Sequence, residues 1–182
     1  FPFFMIEMPF FHNLALKIQE MEETTRAVVL HLQKCGEDKA VVWLYTENRG
    51  AMSFMARMPK QRRAGTYATL LRTLNILDIS YDYRPKSKFQ KFGEVRVSEP
   101  FKTLPYDPMK ATLALFLGEV LYYVLRNEVR NEPLFQYLCY GLAWLDNCQR
   151  AVANFHLVFL MRLTRFLGFW PNAEDWFPGA SY

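Results

Sequence analysis

The sequence lacks most marks of a bond-breaking enzyme or a metal protein. It has three cysteines, Cys35, Cys139 and Cys148, an odd number at spacings that match no zinc or redox motif. A reducing compartment follows from that usage. No glycine loop of the phosphate-cradling type is present, and no Gly-x-Ser-x-Gly elbow. The three histidines, His12, His31 and His156, are scattered. Asp78 and Asp82 share a strand face four residues apart, which reads as a solvated face before it reads as a metal site. There is no internal repeat, no low-complexity tract and no long linker.

Long hydrophobic runs are also missing. Residues 1–20 are apolar and Phe-rich, but Glu7, Pro9, His12 and Asn13 break any stretch of about 20 residues that would span a bilayer. A signal peptide would begin with cations, and here Glu7 precedes the first of them, Lys17. The segment reads as an N-terminal extension, upstream or amphipathic in character, with Met21 a plausible alternative start. No membrane association is expected.

What is present is a globular composition, 51% apolar and 22% charged, with an aromatic content of 16%. Many of those rings must be core, since a ring is first a large piece of apolar surface. Net charge is +4, and its placement is uneven. Residues 21–100 hold 14 Lys and Arg against 9 Asp and Glu, whereas residues 101–182 hold 7 of each. Within residues 57–96 there are 10 cations and 3 acids. A polyanion is the partner such a segment suggests, a solvated face being the bland alternative.

The first half reads in period two. Arg26–Gln33 is expected as a strand with Val28, Leu30 and Leu32 on one face. Ala40–Thr46 follows, with Val42 and Leu44 on one side and Val41, Trp43 and Tyr45 on the other. Ala51–Met58 is a third strand, with Met52 and Phe54 alternating against Ser53 and Met55. Leu77–Tyr83 alternates Leu77, Ile79, Tyr81 and Tyr83 with a wet face of Asp78, Ser80 and Asp82. Phe89–Val97 is a fifth strand, with Phe89, Lys91, Gly93, Val95 and Val97 in one register and Gly93 marking a bulge or bend. Five short strands suit an OB-fold barrel, with an SH3-like barrel as the other option.

The second half reads in period 3.6. Asp107-Pro108 is a helix start, with Asp at the N-cap and Pro at the first turn, and that helix is expected to run to about Asn127. A second helix begins near Asn131-Glu132-Pro133, and a third near Arg150, with Gly168 as its stop. The class is therefore α+β, a five-stranded OB-fold barrel followed by an all-helical domain. The expected divisions are an extension over 1–20, a nucleic-acid-binding barrel over 21–100 and a helical domain over 101–182. The apolar helices and the unpartnered stretch after Pro171 suggest that the helical domain is incomplete at its C-terminus.

Candidate phosphate-neutralising cations are Arg57, Lys60, Arg62, Arg63, Arg72, Arg84, Lys86, Lys88, Lys91 and Arg96, many of them in the loop RMPKQRRAG and the turn RPKSK. Candidate rings for stacking bases are Tyr67, Tyr83, Phe89 and Phe92. No catalytic residue, cofactor or metal is assigned. A protein–protein adaptor and an RNA-binding barrel are alternative readings of the same loops.

Ordered segments carry a resemblance. AVVLHLQKCGE (27–37), LYTENRG (44–50) and MSFMAR (52–57) resemble the opening of the RecO family of recombination-mediator proteins. PYDP (105–108), LFLGEVLY (115–122), ANFHLVFL (153–160) and LTRFLGF (163–169) are similar to its helical part. The resemblance covers about Thr24–Asn172. It implies a DNA repair protein that binds single- and double-stranded DNA, anneals complementary strands, contacts the single-strand-binding protein and works with RecR to load RecA. It further implies a cytoplasmic, nucleoid-associated protein that is not an enzyme, with Arg57, Lys60, Arg62 and Arg63 in a DNA-contacting loop. The family is longer at its C-terminus, and many members carry a four-cysteine zinc site there. This chain has no such cysteines, so no zinc is expected in it.

Overall fold

The computed structural model describes residues 22–58, 69–149 and 152–169. Strands β1 (Glu22–Lys34), β2 (Lys39–Thr46), β3 (Gly50–Arg57), β4 (Ile76–Asp82) and β5 (Gln90–Val97) close into a barrel in the order β1-β2-β3-β5-β4. Long β1 makes this closure possible. Its first part pairs with β4, from Glu22↔Asp82 to Val28↔Ile76, and its second part pairs with β2, from Ala27↔Thr46 to Lys34↔Ala40. Parallel pairing of Phe54 with Gln90 and Met55 with Lys91 seals the last seam. The expected OB-fold barrel followed by helices is the observed architecture.

The barrel interior is filled by Ala27, Val29, Val42, Leu44, Phe54 and Ile79 with their neighbours, and Leu71 is buried with them. Phe54 meets Tyr81 edge-on at 5.3 Å and stacks on Phe92 at 4.5 Å. Two irregularities correct the simple alternation. A bulge in β1 between Val29 and His31 leaves Val28 and Leu30 facing the helices but turns Leu32 toward the barrel interior, so these three do not share a face. In β5 the register shifts opposite Ile79 and Tyr81. Phe92, Val95 and Val97 all pack on the interior, and the single register expected for Phe89 through Val97 does not hold. Gly93 permits this: a Cβ there would lie 2.5 Å from Ser80 Oγ, which accepts a hydrogen bond from Glu94 N at 2.8 Å. Ser80 is consequently buried, on a face expected to be wet.

Helix α1 (Pro108–Leu125) starts where the Asp107 carboxylate accepts from Met109 N and Lys110 N. Lys110, Ala114, Leu117, Gly118, Leu121 and Leu125 recur every three or four residues and form its buried stripe. Among the described residues it is the helix long and apolar enough to cross a membrane, with a mean hydropathy of 1.3 over 18 residues, yet that stripe is packed against the protein's own core. Helix α2 (Glu132–Asn147) is capped by Asn131, whose Oδ1 accepts from Leu134 N at 3.0 Å. Helix α3 (Phe155–Phe166) begins later than expected from the sequence, after a turn in which Phe155 N bonds Val152 O. Gly168, at φ +77°, ends it as expected, and Phe169 N returns to Thr164 O.

The helices form a second core with the outer face of the barrel. Val28, Leu30, Tyr45 and Ile76 join Leu117, Leu121, Leu134, Phe135, Leu138 and Leu142 in one cluster. Each fully buried leucine there contributes about 1.5–3 kcal/mol relative to exposure. Polar contacts fix the alignment. The Tyr45 hydroxyl, its pKa pushed up to about 12 by burial, donates to Val129 O at 3.0 Å, and Ala51 N donates to Glu128 O at 2.9 Å. The segment joining barrel to helices is clamped by Asp146, 5% exposed, whose carboxylate accepts from the backbone of Lys102, Thr103 and Leu104 at 2.7–2.9 Å. Lys110 Nζ, also buried, donates to Asp146 O and Thr103 Oγ1.

Two stability predictions follow from these junctions. Gly50 sits at φ +77°, and a Cβ would lie 2.5 Å from the Val129 backbone, whereas Gly36 at φ +82° has open space around it. Gly50→Ala should cost about 3 kcal/mol or more in chemical denaturation, and Gly36→Ala only the strain of about 1–2 kcal/mol. Burial pushes the Asp146 carboxyl up, but its three backbone donors and Thr103 more than offset this and hold its pKa below the usual value. A depressed folded pKa means that the contribution is complete above the unfolded value of about 4 and is lost as pH falls through the folded one. Asp146→Asn should therefore lower stability at pH 7 and flatten the acid limb of a stability–pH profile.

Candidate nucleic-acid interface

The barrel disposes of its cations in two ways. Arg26 makes a two-pronged bond with Glu47, at 3.0 and 2.8 Å, and its guanidinium lies 5.4 Å from the Phe135 ring. Arg49 grips Glu23 with two nitrogens, and Tyr81 Oη donates to the same carboxylate at 2.9 Å. The Arg49 bond is the main cause that holds the Glu23 carboxyl below its ordinary value, and Arg26 does the same for Glu47. These two arginines are neutralised and structural. Arg57, Arg72, Lys86, Lys88, Lys91 and Arg96 make no ion pair with another described residue.

Register shows which of these stand together. In β3, Phe54 and Ala56 point into the barrel, so Met55 and Arg57 point out. Lys91 lies opposite Met55 across the β3–β5 seam, and Arg57 is two residues further along, about 7 Å. Lys39 lies directly opposite Arg57 across β2 and β3. Sequence reasoning left Lys39 out, although the turn at Asn48-Arg49-Gly50 sets a hairpin register that pairs it with Arg57. The β4–β5 turn delivers Arg84, Lys86 and Lys88 to the start of the same seam. It is braced by Gln90, 5% exposed, whose side chain accepts from Arg84 N at 2.8 Å and donates to Arg84 O and Ser87 O at 3.0 and 3.2 Å. Gln90 also escaped sequence reasoning, because a strand glutamine carries no signal until the turn it closes is known.

Other candidates fall elsewhere. Arg96 lies on the β4 side, opposite Asp78, which in turn faces Arg26 on β1, so that row carries both signs. Arg72 is exposed in the turn before β4, next to the buried Leu71. Lys60, Arg62, Arg63 and Tyr67 lie outside the described residues. Of the proposed stacking rings, Phe92 is spent inside the barrel on Phe54. Tyr83 has the Arg49 guanidinium 3.5 Å from its ring centre. Phe89 is half-buried beside Lys88, whose Nζ is 5.5 Å from its ring centre.

Groups with catalytic potential are packed apart. His31 stacks on Tyr122 at 4.6 Å, and His156 meets Phe116 edge-on. Burial pushes the Cys139 thiol up to about 11, which makes it a poor nucleophile. Among the described residues no three His, Cys, Asp or Glu side chains come together as a metal site.

Comparison with known proteins decides the family. Residues 21–101 match "Recombination protein O N terminal" and residues 105–175 match "Recombination protein O C terminal". The chain belongs to the RecO family. It is 42% identical over 162 residues to the DNA repair protein RecO of Phocaeicola vulgatus, covering 89% of this chain and 67% of that protein. It is 42% identical over 159 residues to the Bacteroides fragilis RecO, covering 87% of this chain and 66% of the relative. The Flavobacterium johnsoniae RecO is 33% identical over 156 residues, covering 85% of this chain and 65% of the relative. The chain thus spans about two thirds of the length of these RecO relatives.

Proposed function

We propose that this RecO-family chain binds single- and double-stranded DNA through its barrel, anneals complementary strands and, with RecR and the single-strand-binding protein, helps load RecA. In this reading residues 21–100 serve DNA, and residues 101–182 serve protein partners. The protein breaks no bonds, needs no cofactor and acts in the cytoplasm at the nucleoid, with no membrane partner. The observation that carries it is the row of cations on the β3–β5 seam, Arg57 and Lys91 with Lys39, continued by the Gln90-braced turn bearing Arg84, Lys86 and Lys88. Arg72 and Arg96 lie elsewhere on the barrel domain, and Lys60, Arg62 and Arg63 follow Arg57 in the chain.

The mechanism is electrostatic. Cations such as Arg57, Lys86, Lys88 and Lys91, which make no ion pair with another described residue, replace the counterions of a phosphate backbone, and the release of those counterions favours binding. Two strands bound on such a surface repel each other less, so complementary segments meet and pair. Phosphate contacts read no sequence, which suits a protein that must act at any break. The helical part offers a separate apolar groove lined by Tyr140, Ala143, Trp144, Asn147 and Cys148, consistent with a protein partner there.

If about five phosphates are neutralised, the affinity for a single strand should fall with a log–log salt slope of roughly −3.5 to −4.5. Binding to single-stranded DNA, duplex, RNA and an acidic peptide, measured from low to high salt, tests this directly. A DNA complex indifferent to salt would overturn the reading, and preference for the RNA or the peptide would favour the RNA-binding or adaptor alternative. Reversing Lys39, Arg57 and Lys91 to Glu should flatten the slope by about 3 and abolish annealing, with stability changed by no more than about 0.5 kcal/mol per site. Reversal of Lys60, Arg62 and Arg63 should likewise stop annealing while the melting temperature holds.

A further inference from the structure

The rings nominated for base stacking are largely engaged elsewhere, but another group stands on the outside of the barrel. The β1 bulge places both Leu30 and His31 on the side of α1. There His31 stacks on Tyr122 at 4.6 Å and leans on Trp43 at 5.6 Å, and Trp43 meets Tyr122 edge-on at 5.3 Å. Tyr123 leans on Tyr122 at 5.3 Å and is 60% exposed. One turn on, exposed Arg126 holds its guanidinium 5.6 Å from the Tyr123 ring and 5.8 Å from the Tyr122 ring.

Trp43 and His31 stand on the same outer strand face as the seam, two rows from Lys39 and Arg57, with Val41 buried between them. Trp43 pairs with His31 on one side and Ser53 on the other. The next outward row is Gln33, Val41, Met55 and Lys91, and the row after it is Lys39 and Arg57. Successive rows are about 7 Å apart along the strands. Trp43, His31 and Tyr122 are half-buried and serve to hold α1 on the barrel. Tyr123 and Arg126 lie at the edge of that contact and stay exposed, Tyr123 against Tyr122 and Arg126 over both rings at the end of α1. An exposed ring and a guanidinium side by side match a base and its phosphate.

We infer that Tyr123 and Arg126, backed by Tyr122 and Trp43, form a stacking platform for an unpaired nucleobase, so that the outer β1–β2 face and α1 extend the cationic seam into a site selective for single strands. This rests on the proposed DNA binding. Duplex bases are already stacked and cannot reach the ring, whereas every unpaired base offers a flat face to it. The site is accordingly indifferent to sequence and sensitive to strandedness.

The test uses the chain as it stands with three probes of equal length: oligo(dT), the same backbone without bases, and a duplex. Tyr123→Ala should weaken oligo(dT) binding about tenfold, leave the base-free backbone and the duplex unchanged, and keep the salt slope. Tyr123→Phe should restore it. Arg126→Ala should weaken oligo(dT) and lower the slope by about 1. Equal weakening of all three probes by Tyr123→Ala, or no weakening of any, overturns the platform while DNA binding by the seam stands. Failure of the unaltered chain to bind any probe overturns the DNA-binding reading, and the platform with it. Melting curves of the variants show whether the fold is kept; if Tyr123→Ala unfolds, Arg126→Ala decides, and an unchanged oligo(dT) affinity in it overturns the platform.

Discussion

Four consecutive residues, Ala27 to Leu30, have no exposed surface at all, and the fold depends on that. Ala27 and Val29 line the barrel, and Val28 and Leu30 pack on the helices. A strand apolar on both faces needs cover on both. One side is the closed barrel and the other is α1 and α2, so neither core is complete without the other. The bulge after Val29 belongs to the same constraint. It lets β1 serve β4 and β2 in turn while sending Leu30 and His31 outward together.

Charge is arranged around this framework by use. Carboxylates near the β1 end of the barrel are committed to Arg26 and Arg49, which brace the hairpin turn and the helix contact. The seam formed by β3 and β5 is different. Its outward positions carry Arg57 and Lys91, and neither makes an ion pair with another described residue. Local neutralisation in one place and its avoidance in another give the barrel a directional field, which a count of net charge does not reveal.

Much of the fold was legible. Asp107-Pro108 and Asn131 with Pro133 mark helix starts because the cap chemistry is local: side-chain oxygens reach backbone N–H groups two or three residues on. Val42 and Leu44 opposite Trp43 and Tyr45 read correctly because β2 has no bulge on its β3 side. Leu32 and Phe92 read wrongly, since a bulge moves one residue and thereby flips every side chain after it, whereas Ser80 keeps its expected face but is buried by the close approach of Gly93. Of the site, the basic segment was visible as composition. Lys39, Gln90 and the Tyr123–Arg126 pair were not, as each gains meaning only from a residue on another element.

By itself, the sequence determined the things that nearest neighbours along the chain decide. These are the change from period two to period 3.6, the caps, the stop at Gly168, and the excess of cations over acids in one segment. Tertiary structure alone decided which cations are paired with carboxylates and which stand on the outward seam, and which rings are core and which are exposed. The physical reason is that pairing register and strand closure bring together residues far apart in the chain. Arg26 meets Glu47, Lys39 meets Arg57 and Trp43 meets Tyr122 only after the barrel has closed and α1 has docked on it.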